Sequence, residues 1–153
     1  MNAEPSMNFI PMTLEQLDWV VAQEQRLHAS PWSQGNFRDA LEAGYDCWIM
    51  EAHQHAIGYA VVLRVLDEAH LLTIGISPEH QRRGHGTRFM TFLAQNARQL
   101  SVTQMFLEVR VSNLAARTMY ARLGFEEIGQ RARYYPAPDG GREDAIVMRW
   151  SWS

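Results

Sequence analysis

The segment Ser77-Pro78-Glu79-His80-Gln81-Arg82-Arg83-Gly84-His85-Gly86-Thr87 limits what this chain can fold into more than any other. It follows an apolar stretch, carries two glycines and two arginines, and runs into a helical pattern in which Phe89, Met90, Leu93, Ala97 and Leu100 fall on one stripe between Gly86 and Leu100. A strand, a glycine-bearing loop and a helix in that order make an anion site. The N–H groups at a helix start lack internal partners, the helix dipole favours negative charge there, and glycine lets a phosphate approach the backbone. Arg82, Arg83 and Arg88 add charge that could pair with further phosphates, although the same glycines would also serve a plain turn. Neither familiar nucleotide loop fits. No Lys-Ser or Lys-Thr follows the glycines, and Gly84-His85-Gly86-Thr87-Arg88-Phe89 has Phe where the dinucleotide fingerprint requires a third small residue.

The elements around this loop read as a single run. Asn8 to Met12 makes a short strand, and Thr13-Leu14-Glu15-Gln16 has the capping-box form that opens a helix carrying Leu14, Leu17, Val20, Val21, Glu24 and Leu27 and stopping near His28. Pro31-Trp32-Ser33 turns the chain into a second helix with Ser33 as N-cap and Phe37, Ala40 and Leu41 inward. Three apolar stretches, Cys47 to Ala52, Ile57 to Leu66 and Ala69 to Ile76, suit an antiparallel meander. After the helix at Gly86, Met105 to Val109 is a buried strand, and Asn113 caps a helix with Ala116, Met119, Tyr120 and Leu123, ended by Gly124. Strands at about Glu127 to Arg133 and Glu143 to Trp150 flank the turn Pro138-Asp139-Gly140-Gly141, and the tail after Met148 reads as loose. The expectation is an α/β (α+β) fold: a mixed, mostly antiparallel central sheet flanked by helices on both faces, in one domain spanning 1–153.

Composition narrows the function classes. At 153 residues and 46% hydrophobic, the chain can bury one real core but not two comfortable ones. A net charge of -3 gives no basic field for general nucleic-acid binding. All basic residues are Arg, which removes lysine nucleophiles and Schiff bases. Cys47 is alone, so neither a disulfide nor a thiolate metal cluster can form within the chain. Of the six histidines only His53 and His55 are close in sequence, and they flank a turn, so no metal is expected. No leader or apolar run of about 20 residues stands out, which points to a cytoplasmic protein without a membrane partner.

Two side chains carry candidate chemistry. Glu108 lies in Phe106-Leu107-Glu108-Val109-Arg110, otherwise apolar up to its end, where desolvation would raise its pKa and suit it as a base. A carboxylate on the wet face of a half-exposed strand, or an ion pair with Arg110, fits the position equally. Tyr120 follows Asn113 by seven residues, two helical turns, and a neutral phenol can protonate a leaving thiolate; an aromatic on that stripe also serves as plain core.

The order strand, Gln81-x-x-Gly84-x-Gly86, long helix, strand, and a helix ending in Leu123-Gly124-Phe125 resembles the GNAT acetyltransferase superfamily over most of the chain. The resemblance implies acetyl-CoA as cosubstrate. Ile74, Gly75 and Ile76 would border its pantetheine arm, which pairs with that strand as though adding another. Arg82, Arg83, Gly84, His85, Gly86 and Thr87 would hold the pyrophosphate, with Asn113 contacting the cofactor further along. His85 departs from the aliphatic residue usual in that loop. Further patterns narrow the likeness: Pro31-Trp32-Ser33, Leu107-Glu108-Val109-Arg110-x-Ser112-Asn113, Tyr120-x-x-Leu123-Gly124-Phe125, and Arg133-Tyr134-Tyr135-Pro136 running into Gly141-Arg142-Glu143-Asp144-Ala145. Together they are similar to the bacterial ribosomal-protein-alanine N-acetyltransferases. That resemblance makes the partner the N-terminus of a small-subunit ribosomal protein, Glu108 the general base and Tyr120 the general acid. An α-amino group, with a pKa near ~8, asks less of the base than lysine near ~10.4. Arg131, Tyr134, Tyr135 and Asp144 could form the wall against which a peptide lies, or a structural hairpin. A monomer is favoured. The competing readings are a GNAT enzyme acting on a small amine or lysine, and a non-catalytic acyl-CoA-binding module.

Overall fold

A computed structural model describes residues 7–152. In chain order the elements are β1 (Met7–Pro11), α1 (Leu17–Leu27) entered through a 3₁₀ turn, α2 (Gln34–Glu42), β2 (Asp46–Ala52), β3 (His55–Val65), β4 (Glu68–Ile76), α3 (His85–Gln99), β5 (Gln104–Arg110), α4 (Leu114–Leu123), β6 (Glu126–Pro136) and β7 (Arg142–Ser151). The strands form one seven-stranded sheet in the order β1-β2-β3-β4-β5-β7-β6. β4 and β5 pair in parallel through Glu68, Ala69 and His70 against Gln104, Met105 and Phe106, whereas β1–β2, β2–β3, β5–β7 and β6–β7 are antiparallel. The mixed, mostly antiparallel sheet anticipated from the sequence is the one observed.

The described residues group into two compact units, drawn from Met1–Val62 with Thr73–Phe92 and from Leu63–Leu72 with Leu93–Ser153. In the first, strand periodicity divides the side chains between two faces. Ile10 pairs with Ile49 and Ile49 with Tyr59, so these three share a face, and there Leu17 and Val20 of α1 and Phe37 and Ala40 of α2 close a core. Phe9, Met50 and Gly58 share the opposite face, where Phe89 of α3 lies 5.5 Å from the Phe9 ring and within 3.4 Å of where a Gly58 Cβ would stand. Helices therefore cover both faces here.

The local signals act as read. Gln16 Oε1 accepts the Thr13 N–H at 2.8 Å, and Ser33 Oγ caps α2 by accepting the Asn36 N–H at 3.1 Å. The first box opens a 3₁₀ turn before α1 proper, which leaves Leu14 61% exposed and off the inner stripe. His53 and Gln54 have positive φ at the β2–β3 turn, a backbone that twists with the strands it joins.

In the second unit β5 alternates strictly, with Met105, Leu107 and Val109 buried and Gln104, Phe106, Glu108 and Arg110 on a half-exposed face. Leu100, expected on the stripe of α3, is 43% exposed because the helix stops at Gln99. As far as Trp152, the last described residue, the tail is not loose. β7 runs to Ser151, the Trp152 indole N–H donates to the Val102 carbonyl at 2.9 Å, and the Trp150 indole lies where a Gly124 side chain would be, 2.8 Å from its Cβ position. Gly124, at φ 122, thus ends α4 and leaves room for that tryptophan.

Candidate functional site

The glycine loop belongs to the first unit, and its backbone explains its residues. β4 ends at Ile76, and Ser77 N–H donates to Ile57 of β3 at 2.8 Å. Because N–H and C=O alternate sides along a strand, Thr73 and Gly75 face β3 with Ser77, whereas Ile74 and Ile76 face the other edge. Both carbonyls on that edge are held by side chains: Gln81 Nε2 donates to Ile76 O at 3.0 Å, and His28 Nε2 lies 3.0 Å from Ile74 O. The glutamine of the motif therefore ties the loop back to the strand. Arg82 and Gly84 then adopt positive φ, 64° and 80°, and α3 starts at His85. Gly75 allows a close approach of another kind, since a Cβ there would stand 2.4 Å from the Tyr59 hydroxyl.

Arg88, counted from the sequence among the phosphate-pairing cations, also serves the loop itself. Its Nη1 donates to the Arg83 carbonyl at 2.8 Å and approaches His85 Nδ1 at 3.2 Å. An arginine can only donate, so His85 accepts at Nδ1 and carries its proton on Nε2. Burial first, then Arg88, His80 and Arg83, lowers the pKa of His85 and keeps it neutral. His53, His55, His80 and His85 with Ala52 and Arg83 line a pocket of about 320 Å³ beside the loop. The sequence brought only His53 and His55 together; the fold adds the other two. No group of three or more His, Cys, Asp or Glu side chains among the described residues is placed to hold a metal ion.

Glu108, Asn113, Tyr120, Arg131, Tyr134, Tyr135 and Asp144 all belong to the second unit. Glu108 keeps 27% side-chain exposure, with Arg131 Nη2 3.4 Å from its carboxylate. Tyr134 hydrogen-bonds the same carboxylate, which is the first cause of its own raised pKa. The desolvated, apolar setting suggested by the sequence is absent, because alternation along β5 turns Glu108 toward Phe106 and Arg110 rather than toward Leu107 and Val109. Arg110 bonds Glu143 at 2.9 Å and the Pro136 carbonyl at 2.8 Å, with its guanidinium 4.5 Å from the centre of the Tyr135 ring.

Tyr120 is buried, its ring 5.5 Å from Phe125. Burial, then the nearby Tyr135, pushes its pKa up to about 12, so the phenol holds its proton throughout the neutral range. Asn113 stands outside α4 with non-helical φ and ψ, its Oδ1 accepting the Ala116 N–H at 3.2 Å. Its carbonyl accepts the Arg117 N–H at 3.1 Å, the first i→i+4 bond of α4, so the helical repeat that leads to Tyr120 begins at Asn113.

A bulge brings Tyr134 to Glu108. Between Arg131, opposite Ala145, and Tyr135, opposite Glu143, β6 holds two residues more than β7, and Arg133 has φ 53°. Arg142 fastens this bulge by donating to the carbonyls of Arg133 at 2.8 Å and Tyr134 at 2.7 Å. Asp144, anticipated at a peptide wall, accepts the Arg133 N–H at 2.8 Å and a bond from Gln130, which hold its pKa low. It is a fastener of the hairpin. Arg142 gave no sign of this in the sequence, since a bulge is invisible until both strands are paired.

Against this geometry, comparison with known proteins gives a consistent result. A model described as the Acetyltransferase (GNAT) family matches residues 12–125. The [Ribosomal protein bS18]-alanine N-acetyltransferase of Escherichia coli strain K12 is 40% identical over 125 residues, covering 82% of this chain and 84% of that one. A putative [ribosomal protein bS18]-alanine N-acetyltransferase of Bacillus subtilis strain 168 is 32% identical over 139 residues, covering 90% of each. The crystal structure of the ribosomal-protein-S18-alanine N-acetyltransferase from Escherichia coli superposes with a TM-score of 0.90 at 35% identity, covering 97% of this chain and 95% of that one. With the loop, the strand order and these similarities in agreement, the chain belongs to the acetyltransferase (GNAT) family and, within it, to the ribosomal-protein-alanine N-acetyltransferases.

Proposed function

We propose that this protein transfers the acetyl group of acetyl-CoA to the N-terminal alanine amine of a small-subunit ribosomal protein, as one single-domain enzyme. The observation that carries the reading is the 40% identity, across most of both chains, to an enzyme named for that acceptor. The loop suits the cosubstrate. Arg82 and Gly84 in positive φ, the start of α3 at His85, and the exposed arginines Arg82 and Arg83 offer N–H groups and charge to a pyrophosphate. Ile74, Gly75 and Ile76 would border the pantetheine arm, Gly86 and Thr87 would continue the cradle into the helix, and Asn113, whose Oδ1 is engaged in capping, has its amide N–H₂ for a cofactor contact.

When bound, acetyl-CoA supplies an activated acyl group and a thiolate leaving group. Glu108 takes the proton of the attacking ammonium, directly or through a water. Arg131 and Tyr134 hold its carboxylate from the hairpin side and fix its direction. Tyr120 returns a proton to the departing sulfur, and its raised pKa keeps that proton available at every pH where the amine reacts. Tyr134 and Tyr135 meet edge to face with centroids 4.9 Å apart and offer an aromatic wall to the first residues of the acceptor. Mass spectrometry of an alanine-initiated peptide after incubation with acetyl-CoA tests the site of transfer. The acetyl group is expected on the α-amine; acetylation of an internal lysine of the same peptide instead would contradict the acceptor.

A further inference from the structure

Glu24 is a carboxylate at 1% exposure in the core of the first unit, and the transfer chemistry does not use it. A buried charge is costly unless paired and hydrogen-bonded. Here both oxygens have hydrogen-bond donors. Oε1 accepts from the Tyr59 hydroxyl at 2.7 Å and the Thr73 hydroxyl at 2.8 Å, and Oε2 accepts the Trp32 N–H at 2.9 Å. One carboxylate thus joins α1, the entry to α2, β3 and β4. The fourth neighbour is His28, one turn along at the C-cap of α1, whose Nε2 lies 3.5 Å from Glu24 Oε1 and 3.0 Å from the Ile74 carbonyl. Both of those atoms are acceptors, so Nε2 carries a proton.

Ile74 O lies on the edge of β4 turned away from β3, and the next carbonyl on that edge, Ile76 O, is held by Gln81 of the glycine-loop motif. The two contacts are alike: a side-chain N–H at 3.0 Å from a strand carbonyl that pairing with β3 leaves over. They bracket Gly75, where the Tyr59 hydroxyl that bonds Glu24 occupies the space of a missing side chain.

We propose that Glu24 and His28 are positioning residues for acetyl transfer: Glu24 orients the imidazole with its Nε2–H toward the strand, and His28 with Gln81 fixes the edge of β4 at two points so that the thioester lies in register for attack. The inference rests on the reading that Ile74 to Ile76 border acetyl-CoA. Neither residue takes or gives a proton in the reaction. Glutamine presents an N–H close to the position of the imidazole Nε2–H yet cannot titrate, so it separates positioning from proton transfer.

The experiment compares wild type, His28→Ala and His28→Gln. His28 is 38% exposed at a helix end, so both variants are expected to fold, checked by circular dichroism and thermal midpoint. Steady-state kinetics with an alanine-initiated peptide and acetyl-CoA should show His28→Ala losing about tenfold or more in kcat, the scale of one positioning hydrogen bond, with the peptide KM within about twofold. His28→Gln should recover most of the loss. A His28→Ala enzyme as fast as wild type overturns the proposal, as does a His28→Gln enzyme no faster than His28→Ala. Calorimetric titration with acetyl-CoA separates the two layers: failure of wild type to bind it overturns the strand reading and this inference together, whereas normal binding with insensitive His28 variants overturns this inference alone.

Discussion

The two side chains proposed as base and acid stand in contrasting environments. Glu108 is half-exposed and held by Arg131 and Tyr134; Tyr120 is buried and protonated. Glu108→Gln and Tyr120→Phe are each expected to lower kcat by roughly 10²-fold or more, the usual worth of a positioned acid or base, with acetyl-CoA affinity little changed. Calorimetry beside steady-state kinetics checks both halves, and unchanged turnover in both variants would remove the assigned roles. Tyr120 also predicts a pH dependence of stability. Its pKa is about 12 in the folded protein against the ordinary value of 10.0, so between those limits the unfolded chain loses its proton first. The native state then binds more protons, and stability present below pH 10 is lost as pH rises toward 12. Denaturant melts from pH 8 to 11 should fall more steeply for wild type than for Tyr120→Phe; parallel curves would mean that burial does not hold this phenol neutral. Tyr120 was readable as a candidate from its helical stripe. His28 was not, because its partner is a backbone carbonyl 46 residues away that carries no sequence signal.

Strands and helices were the most legible part, for definite physical reasons. Ser33, Asn113 and Gly124 are local signals, and each acts where the chain places it. Periodicity marked α3, yet it extended the stripe to Leu100, since a hydrophobic pattern says nothing about where a helix stops. The reverse held at the C-terminus, where Trp150 and Trp152 looked unplaced until Gly124 and Val102 became their neighbours. The β6–β7 hairpin was visible as two strands and a turn, but its bulge was not. Its lock makes a prediction: Arg142→Ala removes two hydrogen bonds that shape the backbone at Arg133 and Tyr134. Tyr134 should then lose its hold on Glu108. The expected result is an alanine-peptide KM raised about tenfold, with acetyl-CoA affinity unchanged because the glycine loop is untouched. Equal losses for both substrates in steady-state assays would mean that Arg142 supports the fold and not the hairpin's function.

For the chain as a whole, the strand-loop-helix order and the meander followed from order and spacing, whereas the acceptor, like the roles proposed for Glu108 and Tyr120, did not. Charge explains part of that. A net charge of -3 excludes a phosphate-binding surface across the molecule but does not select among amines. The acceptor follows from similarity across 82% of the chain. The most direct test is thiol release from acetyl-CoA, measured as kcat/KM for an alanine-initiated peptide, the same peptide blocked at its N-terminus, a lysine peptide blocked at its N-terminus, and a polyamine. The account predicts turnover of the free alanine peptide at least about 10²-fold above the other three, since each of them lacks the reacting alanine amine. Comparable or faster turnover of the polyamine or the lysine peptide would contradict it.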